Sequence, residues 1–286
     1  MAIGIGVKMD RKAVARETVR IMEQGYYETK GGKVEIGEQQ KRAISESFLL
    51  TPEEGEKVLA EYGDNAGSGR RPGGACVSMT KNCSTVDALL EMAGEGKREI
   101  GILNFASAKN PGGGFLNGAM AQEESIAASS CLYKTLLAHE EYYTENRSCG
   151  TMMYTDYAIY SPDVVFFRDG KFGLLQNPVT ASVLTLPAVN MGQVLLKRED
   201  VKQAERVMEH RMELALAIFA KQGCRHLILG AYGCGVFRND PEKVAKWWRE
   251  LMTGSFADTF ESVVYAVLDR SVFQKCYKAF HERFPA

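Results

Sequence analysis

Apolar runs of strand length that break the strict alternation of a half-buried strand are what most constrain this chain. Ile100 to Phe105, inside REIGILNFAS (98–107), and Leu227 to Leu229, inside HLILGAYG (226–233), are two of them. Such runs suit strands covered on both faces. DVVFFRD (163–169), ASVLTLPA (181–188) and SVVYAVLD (262–269) have the same length and character. Helical periodicity marks Arg11 to Gln24, Ser84 to Ala93, Gln122 to Ala138, Glu199 to Gln222, Glu242 to Met252 and Val272 to Phe284. From about residue 74 onward strands and helices alternate, which predicts an α/β fold: a three-layer α/β/α domain around a mixed sheet. Residues 1–73, with one helix and a short strand near Lys33 to Gly37, read as an N-terminal extension packed on the α/β domain spanning 74–286. GDNAGSGRRPGGA (63–75) reads as the flexible join between them.

Composition narrows the function classes. The chain has 286 residues, 45% hydrophobic and 25% charged, as an ordinary globular protein does. No apolar run approaches the ~18–20 residues that span a bilayer, and the opening MAIGIGVKMDRK is charged too soon for a secretory signal. The expected location is therefore cytoplasmic. Seven cysteines include no CxxC pair and most read as small buried apolar residues, while the four histidines form no metal-binding pattern. No metal and no cofactor is expected. With 35 basic against 36 acidic residues, the net charge of −1 argues against a groove that tracks a long polyanion or nucleic acid by its backbone.

Two strand–loop–helix junctions carry the chemistry. In the first, GILNFASAKNPGGG runs into AQEESIAASSCLYKTLLAH. Such a loop lies at the carboxyl end of its strand, where ligands bind. Glycines there allow positive φ and close backbone approach. Gln122, Glu123 and Glu124 fall at the helix start, and adjacent helical residues point about 100° apart, so the two glutamates cannot share one role. In the second, LILGAYGCGVFRNDPEKVAKWW carries Gly230, Gly233 and Gly235, then Asn239 or Asp240 as N-cap and Pro241 at N1. Unpaired N–H groups at that junction suit a phosphate or diphosphate, although the order matches neither the Walker nor the Rossmann glycine pattern. The bland alternative for each loop is an ordinary tight turn. The pair together points to a phosphorylated sugar substrate with acid chemistry near the sugar.

GGG, seven residues and then QEE resembles the signature of poly(ADP-ribose) glycohydrolases. The segments ILNFASAKNPGGGFLNGAMAQEES, YTDYAIYSPDVVFFRD and LGAYGCGVFRNDP are similar to the bacterial-type members, over roughly residues 75 to 270. The resemblance implies a macrodomain fold that binds ADP-ribose across the carboxyl ends of the central strands. It implies Glu124 as the catalytic glutamate, Glu123 as the neighbouring acid that holds ribose hydroxyls, and Gln122 as the residue that orients the motif. Gly112, Gly113 and Gly114 match the catalytic loop, with Asn104 and Asn110 as polar contacts on the ribose side. Gly233, Cys234, Gly235 and Val236 match the diphosphate loop, and Phe237 the aromatic beside the terminal ribose. Met120 stands where a polar residue is common and Tyr232 where Trp is frequent. The adenine contacts are not located by any motif.

The implied reaction is hydrolysis of the ribose–ribose bond at the polymer terminus, with Glu124 protonating the leaving 2′-oxygen and then deprotonating water. The glycines are expected to bring the main chain against the ribose and phosphate. The other readings are a hydrolase of single ADP-ribosyl units on modified protein or nucleic acid, and a reader that binds ADP-ribose without cleaving it. Expected partners are poly(ADP-ribose) or ADP-ribosylated protein as substrate and ADP-ribose as product.

Overall fold

The computed structural model describes residues 10–64 and 76–285. The join expected over 63–75 therefore lies almost wholly outside the described residues. The chain begins with α1 (Arg11–Gln24), β1 (Tyr26–Thr29), β2 (Gly32–Glu35), α2 (Gly37–Ser45), β3 (Phe48–Leu50) and α3 (Pro52–Asp64). It continues with β4 (Val77–Lys81), α4 (Thr85–Gly94), β5 (Ile100–Ala106), a 3₁₀ turn (Phe115–Asn117), α5 (Gln122–Ser129), α6 (Leu132–Leu137) and α7 (Glu140–Ser148). Then follow β6 (Ala158–Arg168), β7 (Leu174–Pro187), α8 (Met191–Lys197), α9 (Val201–Lys221), β8 (His226–Leu229), α10 (Pro241–Thr253), β9 (Ser262–Ala266) and α11 (Lys275–His281).

Seven strands form one mixed sheet in the order β3-β6-β7-β5-β8-β9-β4. β7, β5, β8, β9 and β4 run parallel, and β6 is antiparallel to both β7 and β3. Successive residues of the central strands feed opposite cores. Leu103, Leu227, Leu229 and Tyr265 pack with α9 and α10 on one face. Ile102, Ile228 and Val264 pack with α4, α5 and α7 on the other. That two-sided burial is why these strands read as apolar runs, and it makes the three layers.

Several elements depart from the sequence expectation for identifiable reasons. The helix expected over Gln122 to Ala138 is two helices. Ser130 leaves helical geometry to bridge Phe166 of β6, and Cys131 N–H donates to Val165 O at 2.9 Å. β6 and β7 are longer than their apolar runs because they form one antiparallel hairpin; β6 carries a bulge between Ser161 and Val164, and the first half of β7 is largely solvent-facing. The last helix starts at Lys275 rather than Val272. Upstream of it, Asp269 ties the chain into a loop by accepting from the N–H groups of Ser271 and Cys276. Only Cys131 and Cys224 of the seven cysteines are fully buried; the others are half-buried.

Candidate active site

β5, β8 and β9 are neighbours in the sheet and point the same way, so the loops after them emerge side by side. Strand spacing is about 4.8 Å, which sets the pitch of the three loops. They open onto one cavity of about 1340 Å³. Of the residues that the resemblance assigns to the site, all but Asn104 and Gly112 line it.

The first loop leaves β5 and folds back on itself: Ser107 Oγ accepts from Asn110 N–H at 3.1 Å, and Asn110 O from Gly113 N–H at 3.0 Å. Gly112 (φ +65°) and Gly113 (φ +58°) hold left-handed conformations that side chains resist. A Cβ on Gly113 would overlap Glu124 Oε1 and stand 3.0 Å from Glu123 Oε2. The glycine thus makes room for the protein's own carboxylates, a constraint additional to the ligand clearance expected from sequence.

Gln122, Glu123 and Glu124 open α5 and take three different jobs. Gln122 is stapled to the end of β5: Oε1 accepts from Phe105 N–H at 2.9 Å, and Nε2 donates to Leu103 O at 2.8 Å and to Thr85 Oγ1 at 3.2 Å. Glu123 is 3% exposed. Its Oε2 accepts from Ser107 N–H at 2.7 Å and its Oε1 from Asn104 Nδ2 at 3.3 Å. Burial pushes the Glu123 carboxyl up from 4.5 to about 8, against those hydrogen bonds and with added repulsion from Glu124. Glu124 is half-buried at the cavity wall. Its Oε1 accepts from Gly114 N–H at 3.0 Å and its Oε2 from Ala121 N–H at 2.9 Å, the second contact forming half of a capping box.

Asn104 does not reach the cavity. It is fully buried and donates to Glu123 Oε1 and, at 3.2 Å, to Thr185 Oγ1, so it supports Glu123 where a direct ribose contact was expected. Asn110 is exposed on the cavity wall.

The second loop follows β8. Gly230 lets the backbones of β8 and β9 close: a Cβ there would meet Ala266 O at 2.6 Å. Buried Asn239 clamps the loop, its Nδ2 donating to Val189 O at 2.8 Å and Gly233 O at 3.1 Å, which leaves Asp240 as the N-cap of α10. Among the described residues, no acceptor faces the N–H groups of Gly235, Val236 and Phe237. Successive backbone donors left without partners in a loop make a site for an anion. Phe237 is half-buried, its ring centroid 6.0 Å from that of Tyr154.

The sequence reading missed the third wall, the segment from Ala266 to Cys276 after β9, together with Tyr133 and Phe172. The signal available was the rule that ligands lie across the carboxyl ends of parallel strands. SVVYAVLD was read as strand to its end, but β9 stops at Ala266 and the remainder is wall. Among the described residues, no three His, Cys, Asp or Glu side chains group to hold a metal ion, and no helix is long and apolar enough to cross a membrane.

A mixed sheet between two helical layers, with ligand loops after adjacent parallel strands, is the macrodomain-like α/β/α architecture. Residues 15–169 match the family model for the microbial-type PARG (poly(ADP-ribose) glycohydrolase) catalytic domain, a span that contains the first loop and ends before the second. The chain belongs to this microbial-type family. Similar solved structures include the poly(ADP-ribose) glycohydrolase of Thermomonospora curvata, 37% identical with a TM-score of 0.89 over 96% of this chain and 99% of that one. The same protein bound to the inhibitor ADP-HPD is 36% identical, with a TM-score of 0.88 over the same shares, 96% and 99%. The Deinococcus radiodurans glycohydrolase in complex with ADP-ribose is 38% identical, with a TM-score of 0.78 over 86% of this chain and 97% of that one. No curated protein sequence matches the chain.

Proposed function

We propose that this protein is a poly(ADP-ribose) glycohydrolase that hydrolyses the terminal ribose–ribose bond and releases ADP-ribose, with Glu124 as general acid and base. The observation that carries the mechanism is the Glu124 carboxylate, gripped by the N–H groups of Gly114 and Ala121 at the wall of the cavity. Two main-chain donors fix its position before substrate arrives, so little reorganisation accompanies proton transfer.

The order of the loops along the sheet supports a pose. The terminal ribose lies at the loop after β5, between Glu123 and Glu124. The diphosphate lies on the Gly235–Phe237 N–H groups after β8, and the adenosine end lies against the segment after β9. Glu123, neutral in most molecules at pH 7 with its pKa near 8, can both donate to and accept from a ribose hydroxyl. As the C1″–O2′ bond breaks, Glu124 transfers its proton to the departing 2′-oxygen and an oxocarbenium-like ribose forms. Water then attacks C1″ and gives its proton to the Glu124 carboxylate, which returns the enzyme to its starting state. A cytoplasmic location is supported by seven cysteines that are all free thiols.

The test is release of ADP-ribose from poly(ADP-ribose) and from a mono-ADP-ribosylated protein by wild type and Glu124→Gln. Wild type is expected to act on the polymer, the variant to turn over roughly 10²–10⁴ times more slowly while binding ADP-ribose with nearly unchanged affinity. A fully active Glu124→Gln would remove Glu124 from the chemistry. Wild-type release from the mono-modified protein alone, or tight ADP-ribose binding with no release at all, would overturn the polymer reading.

A further inference from the structure

The cavity, about 1340 Å³, exceeds the roughly 300–1,000 Å³ of a usual ligand pocket. Its rim is unusually apolar. Of the ten large apolar side chains exposed among the described residues, five line it: Leu116, Met120, Val236, Leu268 and Phe273. Single exposed apolar residues need no explanation, but a concentration at one cavity mouth does. Val236, Leu268 and Phe273 stand on the loops after β8 and β9, the side assigned to the terminal unit. Leu116 and Met120 stand apart from them, on the loop that carries the carboxylates.

The chain path places these two side chains relative to the scissile bond. Glu124 is held in a fork whose prongs are Gly114 and Ala121, and Leu116 and Met120 both belong to the segment joining those prongs. That segment is closed on itself, with Gly114 O accepting from Ala119 N–H at 3.1 Å. Burial rises in the other direction: Glu123 is 3% exposed, whereas Leu116 is 46% and Met120 42% exposed. In the pose proposed above, a ribose anchored at Glu123 sends its leaving oxygen outward past Glu124, towards this segment. In poly(ADP-ribose) the leaving 2′-oxygen belongs to an adenosine, so a purine is attached to the very sugar that departs.

We propose that Leu116 and Met120 form a subsite for that departing adenosine, its base lying against the two side chains. The proposal rests on the glycohydrolase reading and adds to it the chemistry recognised on the leaving-group side. An aliphatic and a thioether side chain suit a purine face: both shed water readily, and the Met sulfur makes favourable contact with aromatic rings. Met120, read in the sequence as a departure from a commonly polar position, has here a reason to be apolar.

The experiment uses the Glu124→Gln protein, so that a two-unit oligomer of ADP-ribose stays uncleaved, and compares its Kd with that of ADP-ribose. The dimer is expected to bind more tightly than ADP-ribose. Adding Leu116→Ser and Met120→Ser should weaken dimer binding roughly tenfold and leave ADP-ribose binding within about twofold. Retained ADP-ribose binding reports that the variant is folded. A second variant, Met120→Phe, should tighten the dimer selectively by offering a flat stacking surface. Equal affinities for dimer and ADP-ribose, or serine variants that weaken both alike, would overturn the subsite. The glycohydrolase reading fails on a different result, the absence of ADP-ribose release from the dimer by the otherwise wild-type enzyme.

Discussion

Three consecutive residues, Gln122, Glu123 and Glu124, have similar size and chemistry, and the fold gives each a different environment. The sequence alone separated the two glutamates by helical geometry, and the structure adds that both line the cavity, Glu123 almost wholly buried and Glu124 half-buried. Glu123 has a thermodynamic consequence. Its folded pKa of about 8 lies above its ordinary 4.5, so between those values the folded state holds a proton that the unfolded state releases. Folding stability in this group is full below pH 4.5 and is lost as pH rises towards 8. The Tm of the ligand-free wild type should fall, relative to that of Glu123→Gln, as pH is raised through that window. Parallel Tm–pH curves for the two proteins would show that Glu123 does not titrate this way. Gly113 gives a second expectation. Gly113→Ala puts a Cβ into the left-handed region at about 1–2 kcal/mol and pushes it against Glu124 Oε1. A displacement of about 1 Å at a catalytic group costs on the order of 10² in rate. The variant should thus remain folded by circular dichroism while turnover falls by that order, and near wild-type turnover would mean that the carboxylate tolerates the shift.

At the scale of elements, the site depends on how α5 is fastened to β5. The sequence predicted a helix after this strand and placed the QEE triplet at its start, but the fastening itself was invisible. Gln122 reaches back to the main chain of Leu103 and Phe105, a contact that requires knowing which way the loop returns. The break at Ser130 was hidden for a similar reason: residues 122–138 keep helical periodicity, and only pairing with β6 interrupts them. β3 escaped because it has only three residues, β4 because VSMTK holds no apolar run, and β6–β7 was seen only in its apolar halves. Truncating Gln122 to Ala leaves Phe105 N–H and Leu103 O without these partners, at about 1–3 kcal/mol for the lost pairings. Gln122→Ala should lower Tm and reduce kcat together, since the strand end and the helix start that carry Glu123 and Glu124 would separate. A variant with wild-type Tm and a raised KM alone would instead make Gln122 a direct substrate contact.

At the scale of the whole molecule, the sheet brings the loops after β5, β8, β9 and β4 to one cavity, and the charge of the chain is as informative as that geometry. With 35 basic and 36 acidic residues there is no excess of cations to follow a polyanion along its length. In the pose proposed above, the anion-binding element is the main chain of one loop, Gly235 to Phe237, whose N–H groups would hold a single diphosphate. Such a site holds the end of a polymer and leaves the rest in solvent, and counterion release then involves about two phosphates. At a single-strand slope of about −0.7 per contact, affinity should fall roughly sevenfold from about 50 to 200 mM salt. At the same slope a protein gripping about six to ten phosphates would lose roughly 3 × 10² to 10⁴-fold over that range. KM for long poly(ADP-ribose), followed across this salt range, should therefore change by less than about tenfold, and free ADP-ribose should dominate the products from the first minutes. A steep salt slope, or early release of long fragments, would place the cut inside the chain and require a basic track that the described residues would then have to supply outside this cavity.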